Sequence, residues 1–381
     1  MTVPSDELLD DAGQLDALDP AQMLPAIASG AAQVREAALL AREAGIAALA
    51  EDGRPRAVIV CGMGGSGIAG DVLAAVAGPG CPVPVLTHRG YGLPAWVGAA
   101  DLVIAVSCSG STEETLSATE EAVRRGCRLL VVAAVDSPLE ALGARGRGLF
   151  VPVSQGRQPR ATVWGLSTPL VVAADALGLV SVGEEAIEAT ATQLEETALR
   201  CRVDADHFVN PGKRLALELS GALPVVWGTS PLAGVAAYRL ACQLNENAKV
   251  PAVWGVLPEA NHNQVVAFDG PFAGSGATSV EDLFRDRIDE PGDERTRIRL
   301  VLLRDTEEHP QVARRTAVSQ ELAEERGVGV STVQAVGAST FERLASLVAL
   351  GDWASAYLAL LEGRDPTPVD AITALKARIA R

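Results

Sequence analysis

Two short stretches of this sequence gather groups that bind anions. In "VIVCGMGGSGIAGD" (58–71), apolar β-formers run into a glycine-rich turn that must then start a helix. In "DLVIAVSCSGSTEETL" (101–116), a second apolar run enters Ser107, Ser109, Ser111 and Thr112 around Gly110, with Glu113 and Glu114 opening the next helix. Hydroxyls and backbone amides at a helix N-terminus form a neutral cradle that takes a phosphate without a bulky cation. A single serine suffices as an N-cap, so four hydroxyls in six residues exceed the capping need and point to a phosphate. Gly62, Gly64 and Gly67 also satisfy GxGxxG, which keeps a dinucleotide site and a tight packing turn as competing readings. A nicotinamide site expects an acid at the end of the next strand. That strand ends in Thr87, His88 and Arg89, which removes the NAD signature and leaves NADP as the oxidoreductase alternative.

A sheet must present these turns. From residue 57, short apolar runs ("AVIVCG", "VPVLTH", "DLVIAVSCSG", "RLLVVAA", "LFVPVS") alternate with helical stretches, the pattern of an α/β protein whose parallel sheet is covered on both faces. Turns that follow strands of one parallel sheet emerge at the same carboxyl edge, so both can face one ligand. A second unit starts near 211 with "GKRLALELSGALPVVWGTS", continues through "TRIRLVLLRD" and "GVGVSTVQAVG", and ends in a long helix from about 339 to 362. The expected division is a helical leader over 1–50, a first domain over 51–200, a second over 201–365 and a C-terminal helix over 366–381. Residues 269–296, rich in glycine and acid, read as a surface insertion.

Composition narrows the partner. With 381 residues and 48% hydrophobic content the chain can bury two cores. A net charge of −16 works against a nucleic-acid backbone or an anionic membrane surface, and favours a small molecule held in a local pocket. The acidic N-terminal stretch lacks the bases of a secretory signal, and no run of about 18 apolar residues is free of charge or turn signals, so a cytoplasmic location is expected. Six scattered cysteines without a CxxC pair read as reduced thiols, Cys108 as a packing residue beside the cradle, and four dispersed histidines offer no metal set. Only Lys213, Lys249 and Lys376 are lysines among 32 basic residues, which marks them as positions where an ammonium does what a guanidinium cannot.

"GMGGSGIAGD" with "SCSGSTEET" resembles the first sugar-isomerase (SIS) domain of the bifunctional phosphoglucose/phosphomannose isomerases. "NENAKVPAVWGVLPEANHNQVVAF" (245–268), "LRDTEEHPQVARR" and the ending "DPTPVDAITALK" are similar to that family's later segments, whereas "SCSGST" stands where the family more usually has SYSGNT. The resemblance implies two SIS-type domains, each a mainly parallel sheet flanked by helices, and an aldose-ketose isomerase that needs no cofactor or metal. It implies that Glu246 is the base, His262 and Lys376 assist ring opening, and Arg160 stabilises the enediolate. Gly64, Gly65, Ser66, Ser107, Ser109 and Thr112 would hold the phosphate, in a homodimer whose histidine comes from the neighbouring subunit. The residues agree with these roles. Asn245, Asn247 and apolar flanks predict partial desolvation of Glu246, the condition under which a carboxylate serves as a base near neutrality. Asn261 and Asn263 stand ready to fix the tautomer of His262. His88, His207 and His309 read as non-catalytic. A non-catalytic sugar-phosphate sensor and an isomerase of another sugar phosphate are the alternatives.

Overall fold

The computed structural model describes residues 6–154, 156–274 and 296–379. Most of the acidic stretch expected as an insertion, 275–295, lies outside them. The chain forms two compact units of discontinuous sequence: residues 25–198 with 336–349, and residues 1–24 with 199–335 and 350–381.

The N-terminal segment is helical, as its apolar spacing predicts: α1 Asp6–Asp10, α2 Ala12–Leu18, α3 Met23–Ala28 and α4 Gly30–Glu43. The five apolar runs form β1 Val58–Cys61, β2 Val85–His88, β3 Leu102–Ser107, β4 Arg128–Ala133 and β5 Leu149–Pro152. They pair in parallel in the order β2-β1-β3-β4-β5. Central β1 and β3 are buried at every position while edge strands β2 and β5 are half-exposed, so the continuous apolar runs mark the strands covered on both faces. The helices are α5 Gly64–Ala77, α6 Glu113–Arg124, α7 Pro138–Arg145, α8 Val163–Ala176 and α9 Gly183–Arg200. One face packs Ile59, Cys61, Val103, Ala105 and Val131 against Ala118 and Ala122 of α6 and Leu139 of α7. Val60, of opposite parity, faces α5, where a Cβ on Gly70 would stand 2.9 Å from the Val60 Cβ.

The other unit repeats the arrangement with four parallel strands, β6 Ala222–Gly228, β7 Val253–Val256, β8 Arg297–Arg304 and β9 Gly329–Gln334, in the order β7-β6-β8-β9. Its helices are α10 Pro211–Leu219, α11 Pro231–Gln243, α12 Ala260–Asn263, α13 Pro310–Glu325, α14 Thr340–Leu361 and α15 Asp370–Ile379, of which α14 has its residues 340–349 in the first unit. α14 is long and apolar enough to cross a membrane, but 94% of its most apolar window is buried inside the protein, as in a core helix. Lys213 of α10 is fully buried, and its Nζ donates to the carbonyls of Val203 and Ala205, each at 2.7 Å. Burial pushes its pKa down. A compact ammonium suits two converging carbonyls, so one of the three lysines is a packing device.

Candidate active site

The cradle sits where the first sheet reverses its strand order. β1 and β3 are neighbours, but β1 continues to β2 on one side and β3 to β4 on the other, so the turns after them diverge and leave a crevice at the carboxyl edge. α5 springs from the β1 turn and α6 follows the β3 turn. Gly64 has φ +53° with nothing within 4 Å of an added Cβ, so it needs glycine for its backbone angle and leaves open space beside it. Gly110, at φ +67°, would set a Cβ 2.2 Å from the Ser137 side chain and admits no other residue without moving the turn.

The two turns are tied directly: the Cys108 N–H donates to Ser66 Oγ at 3.3 Å. Ser107 Oγ accepts from the Gly110 N–H at 3.0 Å and lies 3.1 Å from Thr112 Oγ1. Ser109 Oγ accepts from the Ser111 N–H and Oγ at 3.3 and 3.1 Å. Gly64, Gly65 and Ser66 thus stand with Ser107, Ser109 and Thr112 at one end of one sheet. Burial pushes the Cys108 thiol pKa up, in keeping with a packing side chain. Neither helix caps itself: Met63 has no capping oxygen, and Thr112, the N-cap of α6, makes no side-chain cap bond. The Ser66 N–H is on the Met63 carbonyl at 3.1 Å, so the amides that can meet an anion at the positive ends of the two dipoles are those of Gly64 and Gly65 in α5 and of Glu113 and Glu114 in α6.

The corresponding crevice of the second sheet is filled from within. Ser230 caps α11 by accepting from the Ala233 N–H at 3.1 Å, and its Oγ donates to Asp305 Oδ2 at 2.9 Å. Thr229 Oγ1 donates to Glu308 Oε1 at 2.7 Å. Two carboxylates thus lie where the first sheet has only hydroxyls. The signal was in the sequence, because "LRDTEEHP" puts acids after β8 where "SCSGSTEET" puts serines after β3, but its meaning needed the strand order.

Arg160 lies on a single 3₁₀ turn, Pro159–Ala161, whose Pro159 carbonyl would be 4.0 Å from a Cβ on Gly65, at the same end of the sheet as the cradle. Buried Gln33 of α4 holds this turn, donating to the Ala161 carbonyl at 2.7 Å and accepting from the Gly165 N–H at 3.2 Å. Glu36 accepts from Ser154 Oγ at 2.5 Å and from Arg157 Nη2 at 2.7 Å just upstream, and the Ser154 bond, ahead of the Arg157 contacts, holds its carboxyl below the usual range. Arg89, which the NADP alternative would need, is paired with Asp71 of α5.

In the other unit Glu246 is half-buried on a one-turn π-helix, Leu244–Ala248, which continues α11. Such turns widen a helix locally and recur at functional sites. Asn247 is buried beneath it, donating to Ser355 Oγ at 2.9 Å. His262 is exposed on α12. The amides beside it do not fix its tautomer as the sequence suggests: Asn261 donates across to Ser319 Oγ of α13 at 2.7 Å, and Asn263 donates back to Glu259 Oε1 at 3.1 Å. Lys376 is exposed on α15, which buries none of its residues, and it makes no ion pair among the described residues. His309 caps α13 and His207 pairs with Asp10. Among the described residues no three His, Cys, Asp or Glu side chains converge as a metal site requires.

A model of the bacterial phospho-glucose isomerase C-terminal SIS domain matches residues 208–379. A bifunctional phosphoglucose/phosphomannose isomerase of Caldicellulosiruptor bescii is 34% identical over 323 residues, covering 85% of this chain and 89% of that protein. The chain belongs to the bifunctional phosphoglucose/phosphomannose isomerase family. A member of this isomerase family from Aquifex aeolicus is 30% identical over 87% of this chain and 93% of its own length. A solved structure, a hypothetical protein from Thermus thermophilus, has a TM-score of 0.70 at 17% identity and covers 98% of this chain and 94% of that one, a likeness of fold. The isomerase family therefore accounts for both sheets, not for the cradle alone.

Proposed function

We propose that this chain interconverts glucose 6-phosphate, mannose 6-phosphate or both with fructose 6-phosphate through a cis-enediol. Supporting this above all is the Cys108 N–H to Ser66 Oγ bond, which welds two uncapped helix starts into one anion cradle at the strand-order reversal. Gly64, Gly65, Ser66, Ser107, Ser109 and Thr112 hold the 6-phosphate by N–H and O–H donors. Glu246 removes the proton from C2 of the opened aldose as electrons move into the C1 carbonyl to give the enediolate, then returns a proton to C1 while the O2 proton passes to O1 and the C2 carbonyl forms. The guanidinium of Arg160 stabilises the negative charge on the oxygens at that stage. Rotation about C2–C3 of the opened sugar lets one carboxylate serve both epimers. His262 and Lys376 move the ring-opening proton between O1 and O5. The protein works as a homodimer in which each His262 serves its neighbour, a role that fits an exposed imidazole on a short helix. A small anionic sugar, and neither nucleic acid nor membrane, suits a chain of net charge −16 in the cytoplasm.

Steady-state assays with each hexose 6-phosphate test this. Glu246→Gln is expected to lose at least ~100-fold in kcat with KM nearly unchanged. A wild-type protein that binds the sugars without turnover, or a Glu246→Gln variant as fast as wild type, overturns the assignment. Mixing Glu246→Gln with His262→Ala subunits should restore roughly a quarter of wild-type activity, since half the dimers are mixed and each carries one intact site. No recovery on mixing overturns the shared histidine.

A further inference from the structure

Lys249 is the lysine that neither packing nor the proposed chemistry explains. It directly follows the π-turn of Glu246 and holds a left-handed backbone, φ +60° and ψ 28°, which a side chain rarely adopts. Its N–H closes the turn on the Leu244 carbonyl. Its Nζ lies 2.9 Å from the Glu246 carbonyl, 3.0 Å from that of Asn247, 3.4 Å from that of Asp365 and 3.3 Å from that of Pro366. The last carbonyls of a helix have no partner within it, and a cation there meets the negative end of the dipole. Residues 365 and 366, more than a hundred positions along the chain, belong to the turn from which α15 departs with Lys376.

We propose that Lys249 is a positioning residue of the isomerase reaction, one ammonium that fixes the turn carrying Glu246 and clasps it to the segment launching α15. The role rests on Glu246 being the base. Two anchors then hold the π-turn: the buried Asn247 amide on Ser355 below, and Lys249 at its end. Three N–H donors on a compact, tetrahedral ammonium suit carbonyls converging from two segments, a shape that the planar fork of a guanidinium does not share. That geometry explains a lysine in a chain where arginine predominates.

Three substitutions in the full-length protein separate the ammonium from the backbone. Lys249→Met removes the charge and keeps the strained turn. Lys249→Gly removes the charge and relieves the strain. Lys249→Arg keeps the charge with the wrong shape. Lys249→Met is expected to lower kcat ~10- to 100-fold, the scale of a catalytic group misplaced by about an ångström, with the KM for fructose 6-phosphate within about threefold of wild type. Lys249→Gly should regain thermal stability relative to the Met variant but not kcat, and Lys249→Arg should recover less than about a third of wild-type kcat. The kcat–pH profile of the Met variant should be displaced from that of wild type, a change a purely structural loss would not produce. Wild-type kcat in Lys249→Met, full recovery in Lys249→Gly, or a fall in kcat explained by the unfolded fraction overturns the proposal. Glu246→Gln run alongside keeps the failures apart: an active Glu246→Gln overturns the base itself, while an inactive one beside a fully active Lys249→Met overturns only the role of Lys249.

Discussion

Replacing Thr112 by aspartate would give the first sheet what the second already has. In the second sheet the carboxylate of Asp305 sits 2.9 Å from the N-cap Ser230, beside the start of α11. Thr112 is an N-cap with extended backbone, φ −70° and ψ 121°, and no cap bond of its own. Aspartate there accepts from the first amides of α6, worth about 0.5–1 kcal/mol, while the hydroxyl contact with Ser107 is lost at about the same cost. The folded state of Thr112→Asp should therefore remain within about 1 kcal/mol of the parent. Its effect on an anion is of another size. One pair of like unit charges about 4 Å apart at an effective dielectric near 20 costs about 4 kcal/mol, which is more than ~100-fold in affinity. Steady-state KM for fructose 6-phosphate and the rise in Tm produced by inorganic phosphate measure the same loss independently, because a ligand that binds only the folded protein raises its Tm. A KM within about twofold of the parent, or an undiminished phosphate-induced rise in Tm, refutes the cradle. The opposed signs, stability kept and binding lost, separate a ligand site from a helix cap.

Ser230→Ala is the matching change in the second sheet: it removes a cap and a partner of Asp305, should cost about 2 kcal/mol in denaturant unfolding, and should leave KM unaltered. A KM that rises as it does in Thr112→Asp would mean that both crevices hold phosphate. Glu36 supplies a pH dependence. Its carboxyl is held below its ordinary value, so between the lowered value and 4.5 the folded state binds fewer protons than the unfolded. Its contribution is complete above 4.5 and is lost as pH falls through the lowered value. Glu36→Gln should flatten that part of the acid-unfolding profile followed by circular dichroism, and an unchanged profile would show that the Ser154–Glu36–Arg157 contacts do not hold the segment leading to Arg160.

How much was legible in the sequence follows from the range of the forces involved. Strand periodicity and helix starts depend on neighbours within a few residues, so "DLVIAVSCSGSTEETL" reads as strand, hydroxyl turn and helix without help. The direction in which Asn261 and Asn263 turn is not local in that sense. Ser319 stands 58 positions from Asn261, and nothing around "ANHN" announces it.

Residue types at short spacing were enough to establish the alternation of strands and helices, the hydroxyl-rich turn and the scarcity of lysine. Tertiary contacts settled which hydroxyl N-cap meets a carboxylate: Ser230 caps α11 and donates to Asp305, just past β8, whereas Thr112 makes no cap bond and lies against Ser107. They likewise settled that residues 1–24 join 199–335, and that Lys249 gathers carbonyls from 365 and 366. Contacts of that span are set by how strands order themselves across a sheet, and no window of neighbouring residues contains that order.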